Sequence, residues 1–241
     1  MIDRSLNYGR DCMRRFLKQA GPYKKVLDLG AGGGQDLTLA KESNPEAQLF
    51  GVEAYPEYVK MLQVKRVKVF PLNIEKDKLP FRDGEMDLVM MNQVLEHTKE
   101  VFWIFHEISR VLPVGGKLLL GVPNLAALHN RILLPLGIQP SQCKTNSAHV
   151  RGFTKGDILD FLESGAPGTY KLLDFAGTNF YPFPPVIAKP LASLFPSLAW
   201  GIFFLFEKQR EYKTGFLDFP LVQKLETNFY LGPKSARGRK K

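Results

Sequence analysis

The stretch VLDLGAGGGQ, residues 26–35, decides the fold of this 241-residue chain. A short apolar run from Val26 to Leu29 leads directly into a turn rich in glycine, and a helical pattern begins at Gln35. Glycine lets the backbone of such a turn approach a ligand closely, and the first turn of the next helix offers unpaired N–H groups. The segment therefore predicts a site for a nucleotide-like ligand at the end of a buried strand.

Short apolar runs alternate with longer helical patterns along the first half of the chain. That alternation is typical of βαβ units, whose strands form a parallel sheet. A charged, amphipathic pattern also predicts a helix before the first strand. The predicted strands lie at 26–29, 49–53, 67–72, 87–91 and 117–122, and the predicted helices lie at 35–43, 56–64 and 99–111.

The pattern changes after Pro123, where residues 124–153 mix a leucine-rich helical pattern with Pro, Gly, Ser and Asn. An insertion at the carboxyl end of a parallel sheet lies over the ligand crevice, so this segment is the predicted lid. A helix at 154–163 and a strand at 170–175 resume the fold. The last predicted elements are a helix at 188–195 and a strand at 200–206 that pairs with the sheet edge.

These elements predict an α/β fold that is Rossmann-like and doubly wound. We expect a mostly parallel seven-stranded sheet with helices on both faces and an antiparallel last strand. A single domain is predicted over residues 1–208, followed by a basic tail at 209–241. Its parts are an N-terminal helix at 1–24, a cofactor-binding half at 25–123, the lid at 124–153 and a C-terminal half at 154–208.

The spacing of the glycines argues against a dinucleotide cofactor. A G-x-G-x-x-G fingerprint that starts at Gly30 needs its third glycine at position 35, which is Gln35. Glu53 ends the second strand, where a carboxylate can accept hydrogen bonds from both hydroxyls of a ribose. Glu53 alone is also compatible with NAD, so the glycine spacing is the feature that argues against a dinucleotide cofactor.

The glycine segment has the form acidic-x-Gly-x-Gly, with Asp28 two residues before Gly30. It resembles the first motif of class I S-adenosylmethionine-dependent methyltransferases. Two later blocks, DLVMMNQVLEH at 87–97 and ISRVLPVGGKLLLGVPN at 108–124, are similar to the small-molecule, type 11 branch of that family. The resemblance is strong over residues 25–124, weaker over 149–163 and nearly absent beyond.

The resemblance implies S-adenosyl-L-methionine as the cofactor and assigns residues to its parts. Most relatives have Asp at the position of Asn73, so that residue departs mildly from the family pattern. The implied contacts are Asp28, Gly30, Ala31 and Gly32 at the methionyl end, Glu53 and Ala54 at the ribose, Asn73 and Ile74 at the adenine, and Asn92 and Gln93 under the sulfonium.

Methyl transfer is an in-line displacement, so alignment supplies much of the catalysis and a general base is optional. His97 follows the fourth strand closely and is a candidate for that base; its alternative role is to help start the next helix. His149 is a second candidate and, with Arg151, could orient an anionic or hydroxylated acceptor. The alternative for this pair is a hydrogen-bonded turn that holds the lid.

Composition limits the setting and the partners of the protein. Cys12 and Cys143 have no CxxC partner, so we expect neither a disulfide framework nor a metal centre. The N-terminus is charged throughout, unlike a signal peptide, which favours a cytoplasmic setting. The uncharged stretch 190–206 is short and interrupted by Pro196, which argues against a membrane-spanning helix.

Three functional classes remain compatible with the sequence. The favoured one is a methyltransferase of a small molecule or of a lipid- or sugar-linked intermediate. The second is an RNA or protein methyltransferase that uses the basic tail, part of the net charge of +9; nucleic acid is disfavoured because no aromatic residue lies among the final charges. The third is a noncatalytic or NAD-binding protein of the same fold.

A peripheral membrane contact through residues 180–196 is an additional expectation.

Overall fold

Seven strands form one sheet in the computed structural model, which describes residues 9–233. The order across the sheet is β3-β2-β1-β4-β5-β7-β6. Strands β1 to β5 run parallel, and β7 pairs antiparallel with both β5 and β6. The fold class predicted from the sequence is confirmed. The strands are β1 (Lys25–Leu29), β2 (Gln48–Val52), β3 (Lys68–Phe70), β4 (Leu88–Asn92), β5 (Lys117–Pro123), β6 (Tyr170–Thr178) and β7 (Gly201–Lys208).

Helices cover both faces of this sheet. Helices α1, α2 and α3 contribute buried residues to one apolar cluster, and α4, α6 and α8 contribute to another. The two clusters hold alternate residues of β1, since Val26 belongs to the first and Leu27 to the second. The helices are α1 (Arg10–Gln19), α2 (Gln35–Ser43), α3 (Pro56–Val64), α4 (Val101–Val111), α5 (Leu128–Leu133), α6 (Lys155–Gly165), α7 (Pro185–Leu194) and α8 (Gly215–Val222).

Burial on both faces explains why residues 26–29 of the first strand are apolar except for Asp28. A strand covered on each side presents no residue to water, so a polar side chain there requires a reason. Asp28 interrupts the run and is only 2% exposed. It lies near the carboxyl end of β1, directly before the glycine turn.

The predicted lid, residues 124–153, begins and ends at the carboxyl edge of the sheet. Its first residue, Asn124, forms a parallel bridge with Phe153 at its other end. A capping box fixes the chain beyond, because Thr154 accepts a hydrogen bond from the Asp157 N–H and the Asp157 carboxylate accepts one from the Thr154 N–H. The segment is therefore anchored at both ends, with α5 and two short 3-10 turns between them.

The position predicted for the last strand is wrong. The strand expected at 200–206 was placed at the sheet edge, whereas β7 lies between β5 and β6. Residues Ile202 to Phe206 are at most 1% exposed. A strand that apolar is stabilised by neighbours on both sides, and the edge position belongs to β6, most of whose residues are only partly buried.

The packed core continues beyond residue 208, where the sequence predicted the basic tail to begin. Helix α8 packs against α4 and α6, and its Phe216 is fully buried. A Cβ on Gly165 of α6 would lie 2.0 Å from the Phe216 ring, so this glycine makes room for the ring. The final charges predicted for the tail, at 234–241, lie outside the described residues.

Within residues 9–233, every helix is too short or too polar to cross a membrane. The uncharged stretch 190–206 divides instead between the end of α7, a 3-10 turn at Pro196–Leu198 and most of β7.

Candidate functional site

The glycine turn, residues 30–34, connects β1 to α2 and is held on two sides. Three of its glycines have φ between 49° and 75°, in the left-handed region that favours glycine. The backbone N–H groups of Gly30 and Ala31 donate to the carbonyl of Val52 at 2.9 and 3.1 Å. On the other side, a Cβ on Gly30 would lie 2.6 Å from the Val94 side chain. The turn therefore fits tightly between β2 and the segment that follows β4.

Glu53, directly after β2, receives hydrogen bonds from two backbone N–H groups. Gly32 donates to its Oε2 at 2.8 Å and Tyr55 donates to its Oε1 at 2.9 Å. The residue is 6% exposed, so these bonds fix its orientation. A carboxylate has about four acceptor positions, which leaves about two for other donors. Its neighbour Ala54 is exposed and lies at the same edge of the sheet.

Three carboxylates lie close together beside the glycine turn: Asp28, Asp36 and Glu53, each less than 9% exposed. Burial raises the pKa of Asp28 well above its ordinary value, and the charges of Asp36 and Glu53 raise it further. The positive charge of Arg10 lowers it in part. The site is thus electronegative and favours a ligand that carries positive charge.

Asp36 connects three elements beside the glycine turn through hydrogen bonds of its carboxylate. Its Oδ1 accepts a hydrogen bond from Nε of Arg10 at 2.9 Å, and its Oδ2 accepts one from Nδ2 of Asn92 at 2.9 Å. The first partner belongs to α1 and the second to the end of β4, so three elements meet at one side chain. Sequence reasoning missed Asp36 and Arg10; a charged residue in the first turn after the glycines is the signal that could have found Asp36.

Gln93 follows Asn92 and has an unusual backbone conformation. Its φ is 57°, which is uncommon for a residue other than glycine. The Gln93 N–H donates to the carbonyl of Gly121 in β5 at 2.8 Å, which holds the chain in this conformation. Such backbone strain occurs often at functional sites. Asn92 contacts Asp36 and Val94 approaches Gly30, so Gln93 lies between two residues that reach the glycine turn and the first residues of α2. Its contact under the sulfonium stays a prediction.

Asn73 and Ile74 lie beyond β3 at the same edge, and Asn73 is part of a local turn. Its Oδ1 accepts a hydrogen bond from the N–H of Glu75, and its own N–H donates to Asp77. Ile74 is half-buried against the core. The adenine contact of these residues stays a prediction.

His97 and His149 are brought together although one follows β4 and the other lies in the predicted lid. Their ring centroids are 4.8 Å apart. Beside them Glu96 is 2% exposed, and burial raises the pKa of its carboxyl group to about 8. Burial also lowers the pKa of His149; the nearby His97 adds to this effect, and a hydrogen bond to the backbone of Gln142 opposes it. Sequence reasoning assigned Glu96 only to the start of a helix.

Arg151 lies near His149 in the chain, and its guanidinium already has contacts within the protein. Its Nη2 donates to the carbonyl of Lys99 at 3.0 Å, and its guanidinium lies 5.8 Å from the centre of the Phe229 ring. Burial lowers its pKa, and the charge of Glu100 opposes that shift. The predicted contact of Arg151 with an acceptor stays a prediction.

Most residues that build this site lie in a segment that matches a known protein family. Residues 27–120 match a methyltransferase domain of the type 11 family. The matched segment includes the glycine turn, the three carboxylates and the segment after β4. The resemblance seen in the sequence motifs is confirmed.

Related proteins match the methyltransferase domain over part of their length. A malonyl-acyl-carrier-protein O-methyltransferase of Legionella pneumophila is 33% identical over 102 residues, 40% of this chain and 35% of that protein. A demethylmenaquinone methyltransferase of a Geobacillus strain is 28% identical over 151 residues, 55% of this chain and 62% of that protein. The chain thus spans about a third to two thirds of the length of these two relatives.

Solved structures agree with the fold. The crystal structure of an S-adenosylmethionine-dependent methyltransferase from Archaeoglobus fulgidus superposes with a TM-score of 0.60 at 18% identity, covering 86% of this chain and 95% of that one. Family and fold imply S-adenosyl-L-methionine as the cofactor of the methyltransferase domain. The residues of the site fit this cofactor. Glu53 offers acceptors for the ribose hydroxyls, and the buried carboxylates suit the positively charged methionyl end.

Proposed function

We propose that this protein is an S-adenosylmethionine-dependent methyltransferase of a small-molecule acceptor, or of an acceptor linked to a lipid or a sugar. The observation that carries the proposal is the cluster of Asp28, Asp36 and Glu53 beside the glycine turn. S-adenosylmethionine has a positive sulfonium and an ammonium group, which buried carboxylates attract. The pyrophosphate of NAD would place negative charge beside the same carboxylates, which repel it.

The chain's own contribution to the reaction is alignment. The cofactor, when bound, supplies an electrophilic methyl group. The strained backbone at Gln93 and the bond from Asn92 to Asp36 fix the wall against which the acceptor is positioned. Closure of residues 124–153 over the acceptor would exclude water. His97 and His149, on the acceptor side, are the candidates for receiving an acceptor proton.

Calorimetric titration with S-adenosylhomocysteine, with NAD in parallel, tests the proposed cofactor. We expect saturable, micromolar binding of S-adenosylhomocysteine and no binding of NAD, because only the first ligand matches the charge of the site. The same titration should succeed on the full chain without any acceptor. Binding of NAD alone, or of neither ligand, would refute the proposed function.

The acceptor is proposed to approach from an uncharged surface formed by the predicted lid and α7. Both elements pack together, since Leu128 of α5 contacts the cluster of Phe180 and Ala188, and the rings of His129 and Tyr181 are 5.0 Å apart. We call the exposed side chains of this region the apolar surface: Ile132, Leu134, Leu136, Ile138, Phe183, Val186, Ile187, Leu194 and Phe195, each at least 40% exposed.

Charge around the apolar surface favours an anionic membrane as the place where a lipid-linked acceptor is met. Residues 108–156 and 175–206 contain no Asp or Glu, whereas Arg131 and Lys144 are exposed there; Lys189 is also exposed and forms an ion pair with Asp11. Apolar side chains bordered by cations are the pattern of proteins that lie on a membrane surface. The relatives named above differ in acceptor, one being a demethylmenaquinone and the other a malonyl-acyl-carrier-protein methyltransferase.

Vesicle sedimentation tests this approach. We expect binding to vesicles that contain phosphatidylglycerol and weaker binding to phosphatidylcholine alone. Leu134→Glu and Leu136→Glu should each lower the bound fraction at least several-fold, because a charge in the interface is costly. Val222→Glu is the matched control, since Val222 is similarly exposed at 72% but lies on α8. Equal binding by all variants would contradict the membrane approach without affecting the cofactor assignment.

A further inference from the structure

Glu96, His97 and His149 form a group of three side chains whose possible ligand atoms lie within 4.8 Å of one another. Two come from the 3-10 turn Leu95–His97 after β4, and the third comes from the predicted lid. Backbone bonds hold these segments together, because the N–H of Val150 donates to the carbonyl of Glu96 at 2.8 Å. The proximity is therefore built into the fold.

The hydrogen bonds of both imidazoles define which nitrogen carries the proton. Nδ1 of His97 lies 3.2 Å from the carbonyl oxygen of Ala148, and Nδ1 of His149 lies 3.1 Å from that of Gln142. A carbonyl oxygen only accepts, so each Nδ1 must donate. In the neutral rings Nε2 is then left with a lone pair. A ring held by a backbone carbonyl in this way is the usual arrangement of a metal-binding histidine.

Glu96 adds an acceptor that the protein does not satisfy. Its Oε2 is buried and has no hydrogen-bond partner among the described residues. Within residues 9–233 its only ion-pair contact is His97, whose Nε2 lies 3.9 Å from Oε1. Two imidazole nitrogens and a buried carboxyl oxygen without a hydrogen-bond partner thus lie close together, and an unpartnered buried polar atom is costly unless a cation or another ligand completes it.

We infer that Glu96, His97 and His149 bind a divalent transition metal ion, with Zn²⁺ as the most suitable probe. Two imidazoles and one carboxylate are a ligand set that zinc accepts, and they leave a fourth position open. Ligand atoms about 2.1 Å from a tetrahedral ion lie about 3.4 Å apart. The side chain of His97 is 42% exposed, so it can move by the ångström or so that is needed.

The ion would connect the predicted lid to the turn after β4, on the acceptor side of the crevice. While bound, it occupies Nε2 of both histidines, so these rings no longer serve as proton acceptors. Its open position suits an acceptor oxygen, and in this respect the inference rests on the proposed function. Metal binding itself needs neither cofactor nor acceptor, so its failure is distinguishable from failure of the proposed function.

Titration of the full, chelator-treated protein with ZnCl₂ tests the inference by calorimetry. We expect one equivalent to bind, and His97→Gln, His149→Gln and Glu96→Gln each to weaken it at least tenfold. His106→Gln is the matched control, because His106 bonds to Tyr212 away from the group. Replacing both Cys12 and Cys143 by serine should leave the binding intact and thereby exclude thiolate sites.

The glutamine variants keep the size of each side chain, and circular dichroism shows whether they fold. If variants that fold as the wild type bind Zn²⁺ as tightly as it does, or if the wild type does not bind, the inference is wrong. Loss of Zn²⁺ binding in His106→Gln to the same extent would likewise overturn it. Normal S-adenosylhomocysteine binding by all variants would show that the two sites are separate.

Discussion

Replacing Glu53 by alanine is expected to weaken the binding of S-adenosylhomocysteine about 100-fold or more. The carboxylate is proposed to receive hydrogen bonds from two ribose hydroxyls, and bonds to a charged group contribute about 1.5–3 kcal/mol each. The substitution also removes the acceptor of the Gly32 and Tyr55 N–H groups, so the turn loses part of its support. Calorimetry gives the affinity directly.

Glu57→Ala is the matched control for this experiment. Glu57 is an exposed carboxylate in the first turn of α3, only four positions along the chain. Its removal changes the net charge equally but leaves the proposed ribose contacts in place, so the affinity should stay within a factor of two or so. If the Glu53 and Glu57 variants bind the ligand equally well, Glu53 does not belong to the cofactor site.

Gly30→Ala should destabilise the protein more than Gly32→Ala, by about 1–3 kcal/mol in the free energy of unfolding. Both glycines have positive φ, so each substitution meets the strain of roughly 1–2 kcal/mol that a Cβ causes in this conformation. The two positions differ in the room available for a side chain. A Cβ on Gly30 would lie 2.6 Å from Val94, whereas one on Gly32 would have nothing within 4 Å.

Urea unfolding of the two variants measures this difference. A further substitution, Val94→Ala, removes the side chain that would clash and should recover part of the stability of the Gly30 variant. If both glycine variants lose the same stability, backbone strain alone explains the effect. The close approach of the turn to the segment after β4 would then be unimportant.

Most of the sheet could be predicted because local patterns encode it. The strand predicted at 26–29 and the helices predicted at 35–43 and 56–64 match β1, α2 and α3 to within a residue. Periodicity does not specify which strands become neighbours, so the place of β7 was predicted wrongly. Helix α8 was missed because GFLDFPLV is short and contains Pro220, and its packing against α4 and α6 stabilises it.

Some contacts of the candidate site could likewise be predicted from the sequence, and others could not. Asp28, Gly30, Glu53, Asn92 and Gln93 lie at or just beyond the carboxyl ends of strands that the sequence predicts, so their convergence follows from a parallel sheet. The partnership of Arg10 with Asp36 depends on how α1 packs, which no local pattern states. The meeting of His97 with His149 likewise depends on the path of the predicted lid, and neighbouring positions in the sequence give no sign of it.

The insertion of β7 imposes an order on assembly of the sheet. Across the described sheet β6 pairs with β7 alone, so β6 is synthesised earlier but can join only after residues 201–208 are available. Until then the outer edge of β5 stays open, and β6 has no partner strand in the sheet. Open edges and uncharged aromatic strands promote association between chains. Association between nascent chains is therefore most favoured in the interval of translation between the completion of β6 and that of β7.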